Sequence, residues 1–347
     1  MEIKSRFIKL TPPKAQLFSI VLETKLYFFG STNLGGKGAV PLSENLLTIN
    51  LAGLKLASPT VLASGVLGYT GDSMQRIAKA GAGAVVTKSV GVEPRPGYPN
   101  PTVVQAKAGF INAMGLPNPG IDVYAEEIGF MKTILKVPLI VSVYGYTAEE
   151  YATVAEKALK AGADAVELNV SCPHVNNTGS EIGQDPKVLA DVVGKVKAVV
   201  EKPVIVKLSP NVNDVSKIAK VAVRAGADAL TAINTLKAMA IDIETQMPVL
   251  GNVKGGLSGQ AIKPVAVRAI YEIFEAVKVP IFGCGGITTW QDAVEFLLAG
   301  ASAVQIGSGV ALEEPELFQS INKGVQNYLE RKGYRSVKEI VGLSHQT

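Results

Sequence analysis

The sequence predicts an α/β fold, a TIM (β/α)8 barrel with its site at the C-terminal mouth. Three observations support this: a recurring helix-end and strand-start pattern, a second set of proline-led apolar runs alternating with it, and strand ends that all turn polar or glycine-rich. The pattern occurs as "AGAGAVVTKS" at Ala80, "AGADAVELNV" at Ala161, "AGADALTAIN" at Ala225 and "AGASAVQIGS" at Ala299. Each reads as a helix closing at Gly and running straight into a β-branched strand. Between them stand "VPLIVSVYG" from Val137, "KPVIVKLSP" from Lys202 and "VPIFGCGGI" from Val279, and "SPTVLASG" from Ser58 completes eight strands. Pro is expected at the first residue of such a strand, where no ladder donor is yet needed.

Helical patterns over Asp72–Ala80, Ala148–Ala161, Pro186–Val200, Val212–Ala225, Pro264–Val277 and Trp290–Leu298 fill the intervals. A doubly wound open sheet would want a glycine-rich dinucleotide turn opening the first helix, which "ASGVLGYTGD" does not supply. Residues 1–45 fall outside the repeat, carry "STNLGGKGAVP" as a linker, and are expected to be an N-terminal extension without an assigned task. The barrel domain is expected over residues 46–347, opening with "LLTINLAGLKLASP".

At 347 residues and 47% hydrophobic, the chain can bury one large core. Its net charge of +4 and lack of a long Lys/Arg run argue against nucleic acid and suit a small anionic ligand. Two cysteines, Cys172 and Cys284, are too few for a disulfide framework or an iron–sulfur cluster, so a reducing cytoplasm is expected, with no metal site. The segment from Leu17 to Gly30 is broken by Glu23 and Lys25 and falls short of the ~20 apolar residues of a spanning helix, so no membrane anchor is expected.

Barrel enzymes work where strands end, and here those ends carry Ser64, Lys88, Ser142, Asn169, Lys207, Asn234, Gly285-Gly286 and Gly307-Ser308. A lysine closing a strand either snorkels to solvent or faces an anion or conjugated ring; two of them beside two asparagines favour a ligand site. The turns "GCGGI" and "IGSGV" present backbone amides suited to phosphate. Cys284 lies within the seventh strand and is expected to pack. Cys172 follows Asn169 in a loop and suits a nucleophile or a proton acceptor, the inert buried thiol being the alternative. His174 is the one histidine near it, since His345 lies in the C-terminal tail. On these residues alone a flavin-free lyase or isomerase using the same phosphate turns stays open, as does an inactive structural subunit.

The ordered motifs "ASG" at Ala63, "TKS" at Thr87, "INAMGLPNPG" at Ile111, "ELNVSCP" at Glu167, "VKLSPNV" at Val206, "INTL" at Ile233, "GGLSGQAIKP" at Gly255, "GCGGI" at Gly283 and "IGSG" at Ile306 resemble the dihydroorotate dehydrogenases, in the catalytic subunit of their soluble two-subunit, NAD-linked B-type form. The resemblance covers about residues 46–335 and implies an FMN barrel that oxidises dihydroorotate to orotate in pyrimidine synthesis. It implies that Cys172 takes the C5 proton while hydride leaves C6 for flavin N5. It places the substrate on Lys88, Asn112, Ala113, Met114, Gly115, Leu116, Asn169, Asn234 and Thr235. It places FMN on Ser64, Lys88, Ser89, Ser142, Asn169, Lys207, Ile233, Gly259, Gly285, Gly286, Gly307 and Ser308. It further implies a homodimer core within a heterotetramer and a partner subunit carrying FAD and an iron–sulfur cluster. His174 stands where the family commonly has a second asparagine, and "SCPH" is also similar to the dihydropyrimidine dehydrogenases, so a uracil or thymine reductase subunit is the alternative. The loop "NAMGLPNPG" separates the two, matching the orotate loop.

Overall fold

The protein is described by a computed structural model that covers residues 46–171 and 182–346. Eight strands form a closed, all-parallel barrel: β1 (Thr60–Leu62), β2 (Ala84–Val86), β3 (Leu139–Val143), β4 (Ala165–Asn169), β5 (Val204–Leu208), β6 (Ala229–Ala232), β7 (Ile281–Cys284) and β8 (Ala303–Ile306), each paired with its sequence neighbours and β8 with β1. The strand residues are almost all buried, which is why these runs are continuously apolar instead of alternating.

The two sequence patterns sort into alternate strands. The AGA repeat opens β2, β4, β6 and β8, and its Gly81, Gly162, Gly226 and Gly300 take φ of 104°, 114°, 110° and 119°. Only glycine turns out of a helix this way without strain, so the repeat marks the helix-to-strand corner. The proline-led runs give β1, β3, β5 and β7, with one correction: Pro59, Pro138, Pro203 and Pro280 each stand one residue before the strand. There they still contribute a carbonyl, accepting from Val304, Val85, Val166 and Leu230 at 2.8–3.1 Å, while lacking the N–H that would have had no place in the ladder. The aspartates of the AGAD corners close the unit: Asp164 and Asp228 each accept the first strand amide of the preceding unit, Leu139 and Val204, at 2.8 Å.

Helices follow each strand on the outside: α1 (Gly71–Lys79), α2 (Ile121–Ile134), α3 (Ala148–Lys160), α4 (Pro186–Val199), α5 (Val215–Arg224), α6 (Lys263–Ala276), α7 (Trp290–Leu298), and after β8 a single turn α8 (Val310–Glu313) and α9 (Leu317–Lys332). Thr70, Thr147, Asp185, Asp214 and Thr289 cap the N-termini of α1, α3, α4, α5 and α7 through their side-chain oxygens. The α5 cap at Asp214 moves that helix start from the expected Val212 to Val215. Sequence periodicity missed α2 and α9; α9 is tied to the barrel by Asn322, which accepts from Thr60 Oγ1 at 2.9 Å and donates to Gly81 O at 2.8 Å.

A second sheet was also missed. Val103–Ala106 and Gly109–Asn112, from the β2–α2 connection, pair antiparallel with Gly255–Ser258 and Leu236–Ala238, from the β6–α6 connection. Both connections leave the C-terminal ends of barrel strands, so this four-stranded sheet stands over the mouth. Among the described residues no helix is long and apolar enough to cross a membrane. Nor is any group of three or more His, Cys, Asp or Glu side chains placed to hold a metal ion.

Candidate active site

The strand ends of β2, β3, β4 and β6 are joined by a chain of polar side chains. Ser89 and Ser142 share a hydrogen bond at 2.9 Å, Asn169 Nδ2 donates to Ser89 Oγ at 3.1 Å, and Asn234 Nδ2 donates to Asn169 Oδ1 at 3.3 Å. Asn234 Nδ2 also reaches Ser171 Oγ at 2.8 Å, and Asn234 Oδ1 accepts from the Thr235 amide at 2.9 Å. Asn234 is itself fixed by its neighbours, since its amide donates to Leu208 O on β5 and that of Ile233 donates to Cys284 O on β7. Five of the residues singled out in the sequence, Ser89, Ser142, Asn169, Asn234 and Thr235, therefore share one network, with Ile233 as its backbone anchor. The Ala232–Ile233 peptide there is cis.

Lys88 is half-buried just beyond β2, and among the described residues its ammonium makes no hydrogen bond or ion pair. Burial holds its pKa below that of an ordinary lysine. Lys207 differs: it sits within β5, one residue before the strand end, and its side chain is only 7% exposed. Neither lysine closes its strand as the sequence suggested, and Lys207 does not snorkel. It lies inside the barrel with Glu167 Oε1 at 3.7 Å and Gln305 Oε1 at 3.4 Å. Burial, the largest single influence, pulls its pKa down, but Glu167 and Cys284 together outweigh that and keep it raised.

The turns after β7 and β8 have the shape of a cradle. Gly286 has φ +78°, and a Cβ there would meet Gly259 O at 2.6 Å and Lys263 Cβ at 3.0 Å. Gly259 has φ +95° and would meet Gly109 Cα at 2.5 Å, while Gly285 would meet Ala266 Cβ at 2.8 Å. Among the described residues the amides of Gly286, Gly307 and Ser308 find no protein acceptor. Gly307 lies beside the end of β1, its ideal Cβ position 3.5 Å from Ala63 Cβ, which brings Ser64 next to the same turn. Amides left for an outside acceptor, backed by glycines that admit no Cβ, fit a phosphate group. Cys284, half-buried at the end of β7, has its thiol pushed up by burial, consistent with packing.

The loop Asn112–Leu116 enters from the covering sheet. Asn112 Nδ2 donates to Gly256 O at 3.3 Å, and a Cβ on Gly256 would strike Thr235 Oγ1 at 2.1 Å, so Asn112 and Thr235 meet across that glycine. Ala113, Met114 and Gly115 are instead held by residues 98–102: the Ala113 amide donates to Thr102 O at 2.8 Å and Met114 O accepts from Tyr98 at 3.1 Å. Cys172 and His174 lie outside the described residues.

Four residues that shape the site went unread, three of them in one cluster. Glu167, Thr231 and Gln305 form a buried cluster: Glu167 Oε2 accepts from Thr231 Oγ1 at 2.8 Å and from Gln305 Nε2 at 2.7 Å. The signal was there in "AVELN", where a charge breaks an apolar strand two residues before Asn169 and so shares its face. Asn118 is the other omission. A cavity of about 570 Å³ between α6, α7 and α9 is apolar, lies on the flank of the barrel and has no part in this chemistry.

The fold and the strand-end polar network define a barrel of the enzyme class, with glycine turns at its mouth that fit a phosphate group. A family model described as dihydroorotate dehydrogenase matches residues 46–329. The chain is 53% identical over 299 residues to the dihydroorotate dehydrogenase B (NAD(+)) catalytic subunit of Pyrococcus abyssi, covering 86% of this chain and 99% of that one. It is 52% identical over 304 residues to the protein of the same name from Methanosarcina mazei (87% and 96% covered) and 54% over 298 residues to that of Pyrococcus furiosus (86% and 98%). The chain belongs to the dihydroorotate dehydrogenase family, whose members are flavin-dependent oxidoreductases.

Proposed function

We propose that this protein oxidises (S)-dihydroorotate to orotate in UMP biosynthesis, with FMN bound in the barrel mouth. The observation that carries the reading is the pairing of two features: glycine turns after β7 and β8 with unclaimed amides, and the Ser142–Ser89–Asn169–Asn234 network beside them. The first fits a flavin phosphate, and the second offers donors and acceptors to a ring bearing alternating C=O and N–H groups. Ser64, Gly259, Gly285, Gly286, Gly307 and Ser308 would hold the phosphate end; Ser89, Ser142, Asn169, Lys207 and Ile233 would hold the ring. When bound, FMN supplies the acceptor for the hydride from C6 of the substrate.

The chain's own residues would do the rest. Lys88, the side-chain amides of Asn112, Asn169 and Asn234 and the Thr235 hydroxyl, with Ala113 through Leu116 as the covering loop, would orient the substrate ring and carboxylate. Cys172 is the proposed base for the C5 proton. Ser171, its sequence neighbour, is bound through its hydroxyl to Asn234 and through its amide to Asn169 Oδ1 at 3.3 Å, so the segment leading to Cys172 starts from the substrate network. Cys172 would take the C5 proton on one face of the substrate ring, while a flavin held on the other would supply the hydride acceptor. The relatives' name, a catalytic subunit, supports a partner that removes electrons; we assign to it FAD and an iron–sulfur cluster, in a heterotetramer around a homodimer of this chain. Residues 1–45 are proposed as an N-terminal extension of unassigned role, preceding the barrel domain of residues 46–347.

The test is anaerobic. The purified protein should show a flavin band bleached by dihydroorotate and not by dihydrouracil. Bleaching by dihydrouracil would favour a pyrimidine reductase, the reading that His174 raises, and no flavin uptake on reconstitution would overturn both. Cys172→Ala should keep FMN and lose turnover.

A further inference from the structure

Glu167 has no accessible surface, lies inside the barrel, and has no part in the chemistry proposed above. A carboxylate so placed is costly unless its charge and lone pairs are answered. Three strands answer them. Thr231 on β6 and Gln305 on β8 both donate to Oε2, at 2.8 and 2.7 Å. Oε1 accepts no hydrogen bond and faces Lys207 Nζ on β5 across 3.7 Å. Gln305 joins the two charges, its Nε2 on Glu167 and its Oε1 3.4 Å from Lys207 Nζ. Two neutral donors thus hold one oxygen so that the other is committed to the lysine.

We infer that Glu167 is a positioning residue for the cofactor site, holding Lys207 as a fixed cation and thereby setting how many protons the site takes up when FMN is reduced. The inference rests on the FMN reading above. The titratable groups facing Lys207 are Glu167 from β4 and the Cys284 thiol from β7, and burial keeps that thiol in its neutral form. Thr231 and Gln305 carry no charge. With the carboxylate gone, burial, the largest influence on Lys207, is opposed only by Cys284 and favours the neutral form of the lysine. Reduction of the neighbouring flavin, which adds negative charge, then draws a proton from solvent back onto Nζ.

The experiment is an anaerobic redox titration of the FMN-loaded protein against indicator dyes from pH 6 to 9. In Glu167→Gln the midpoint potential should fall more steeply with pH than in the wild type, by about 30 mV per pH unit, the value of one extra proton in a two-electron couple. The double variant Glu167→Gln/Lys207→Gln, which removes the pair together, should return to the wild-type slope. If Glu167→Gln alone does not load, Glu167→Asp lengthens the gap to Lys207 and should show the same steepening displaced to higher pH. A Glu167 variant that loads FMN and runs parallel to the wild type throughout overturns the role of Glu167 while leaving the flavin reading standing. A double variant as steep as the single one also overturns it, because the proton would not be on Lys207. A wild-type chain that takes up no FMN overturns the flavin reading itself and this inference with it.

Discussion

Asn118 donates through Nδ2 to the Leu116 carbonyl at 2.9 Å and to the Tyr144 hydroxyl at 2.8 Å. Its Oδ1 accepts from the amides of Gly120 at 2.9 Å and Gly91 at 3.3 Å, so one buried side chain pins the loop Asn112–Leu116 to the residue that follows β3. Leu116 has φ +55°, a conformation a leucine keeps only when its surroundings impose it. Asn118→Ala should cost about 1–3 kcal/mol through the groups left unpaired. It should also raise KM for dihydroorotate while flavin content stays at the wild-type level; urea unfolding and steady-state kinetics together check it, and an unchanged KM would count against the positioning role.

Lys88 should give substrate binding a pH limit. Its folded pKa lies below the ordinary lysine value, so its cation persists below that depressed pKa and is lost as pH rises through it, earlier than for a free lysine. Affinity for the orotate anion should decline as pH rises, beginning at a lower pH than an ordinary lysine would give. Lys88→Met should weaken orotate by roughly ten- to a hundredfold, the range for a lost charged hydrogen bond, and abolish that decline. Fluorescence titrations of orotate across pH would measure both.

The cradle can be tested at a single methyl group. Gly286→Ala adds a Cβ 2.6 Å from Gly259 O at a φ of +78°, and should lower FMN affinity at least tenfold. Gly194→Ala in α4 is the contrast: nothing lies within 4 Å of its Cβ position, so it should leave FMN affinity alone and stabilise the helix by up to ~1 kcal/mol. Equilibrium dialysis of FMN, with thermal melts, separates the two.

Asp292 holds the corner after β7. Burial would raise its pKa, but Lys263 Nζ at 2.7 Å and the amides of Thr288 and Thr289 at 3.0 and 2.9 Å outweigh that and keep it depressed. A depressed carboxylate contributes stability that is present above its unfolded pKa of ~3.9 and is lost as pH falls through the lower folded value. Asp292→Asn should therefore lose about 1–3 kcal/mol at pH 7 and much less near pH 3. Denaturant unfolding at the two pH values would show it, and an equal loss at both would refute the charge argument.

The eight strands were legible because a strand buried on both faces is an unbroken apolar run, and because the AGA corner needs its glycine at positive φ each time. The strand-end residues were legible for the same reason, as the points where those runs stop. Helix α2 was not, nor α9, which follows the last AGA corner, and neither was the covering sheet. Its strands are short, glycine-rich and partly exposed, and pair across more than a hundred residues of chain, as Asn112 does with Gly256.

By itself the sequence determined the barrel, the order of its strands and the identity of the residues at its mouth, since local periodicity and corner geometry are properties of neighbouring residues. It also placed Cys172 and His174 next to that mouth in the chain, though they lie outside the described residues. What only the tertiary structure decided is which of those residues act on one another. Lys207 read as a strand-end lysine facing a ligand, and closing the barrel brought it within 3.7 Å of Glu167 and within 3.4 Å of Gln305, ninety-eight residues further along. A barrel interior is where strands distant in sequence share one low-dielectric space, so the partner of a buried charge is set by closure and leaves no local signal.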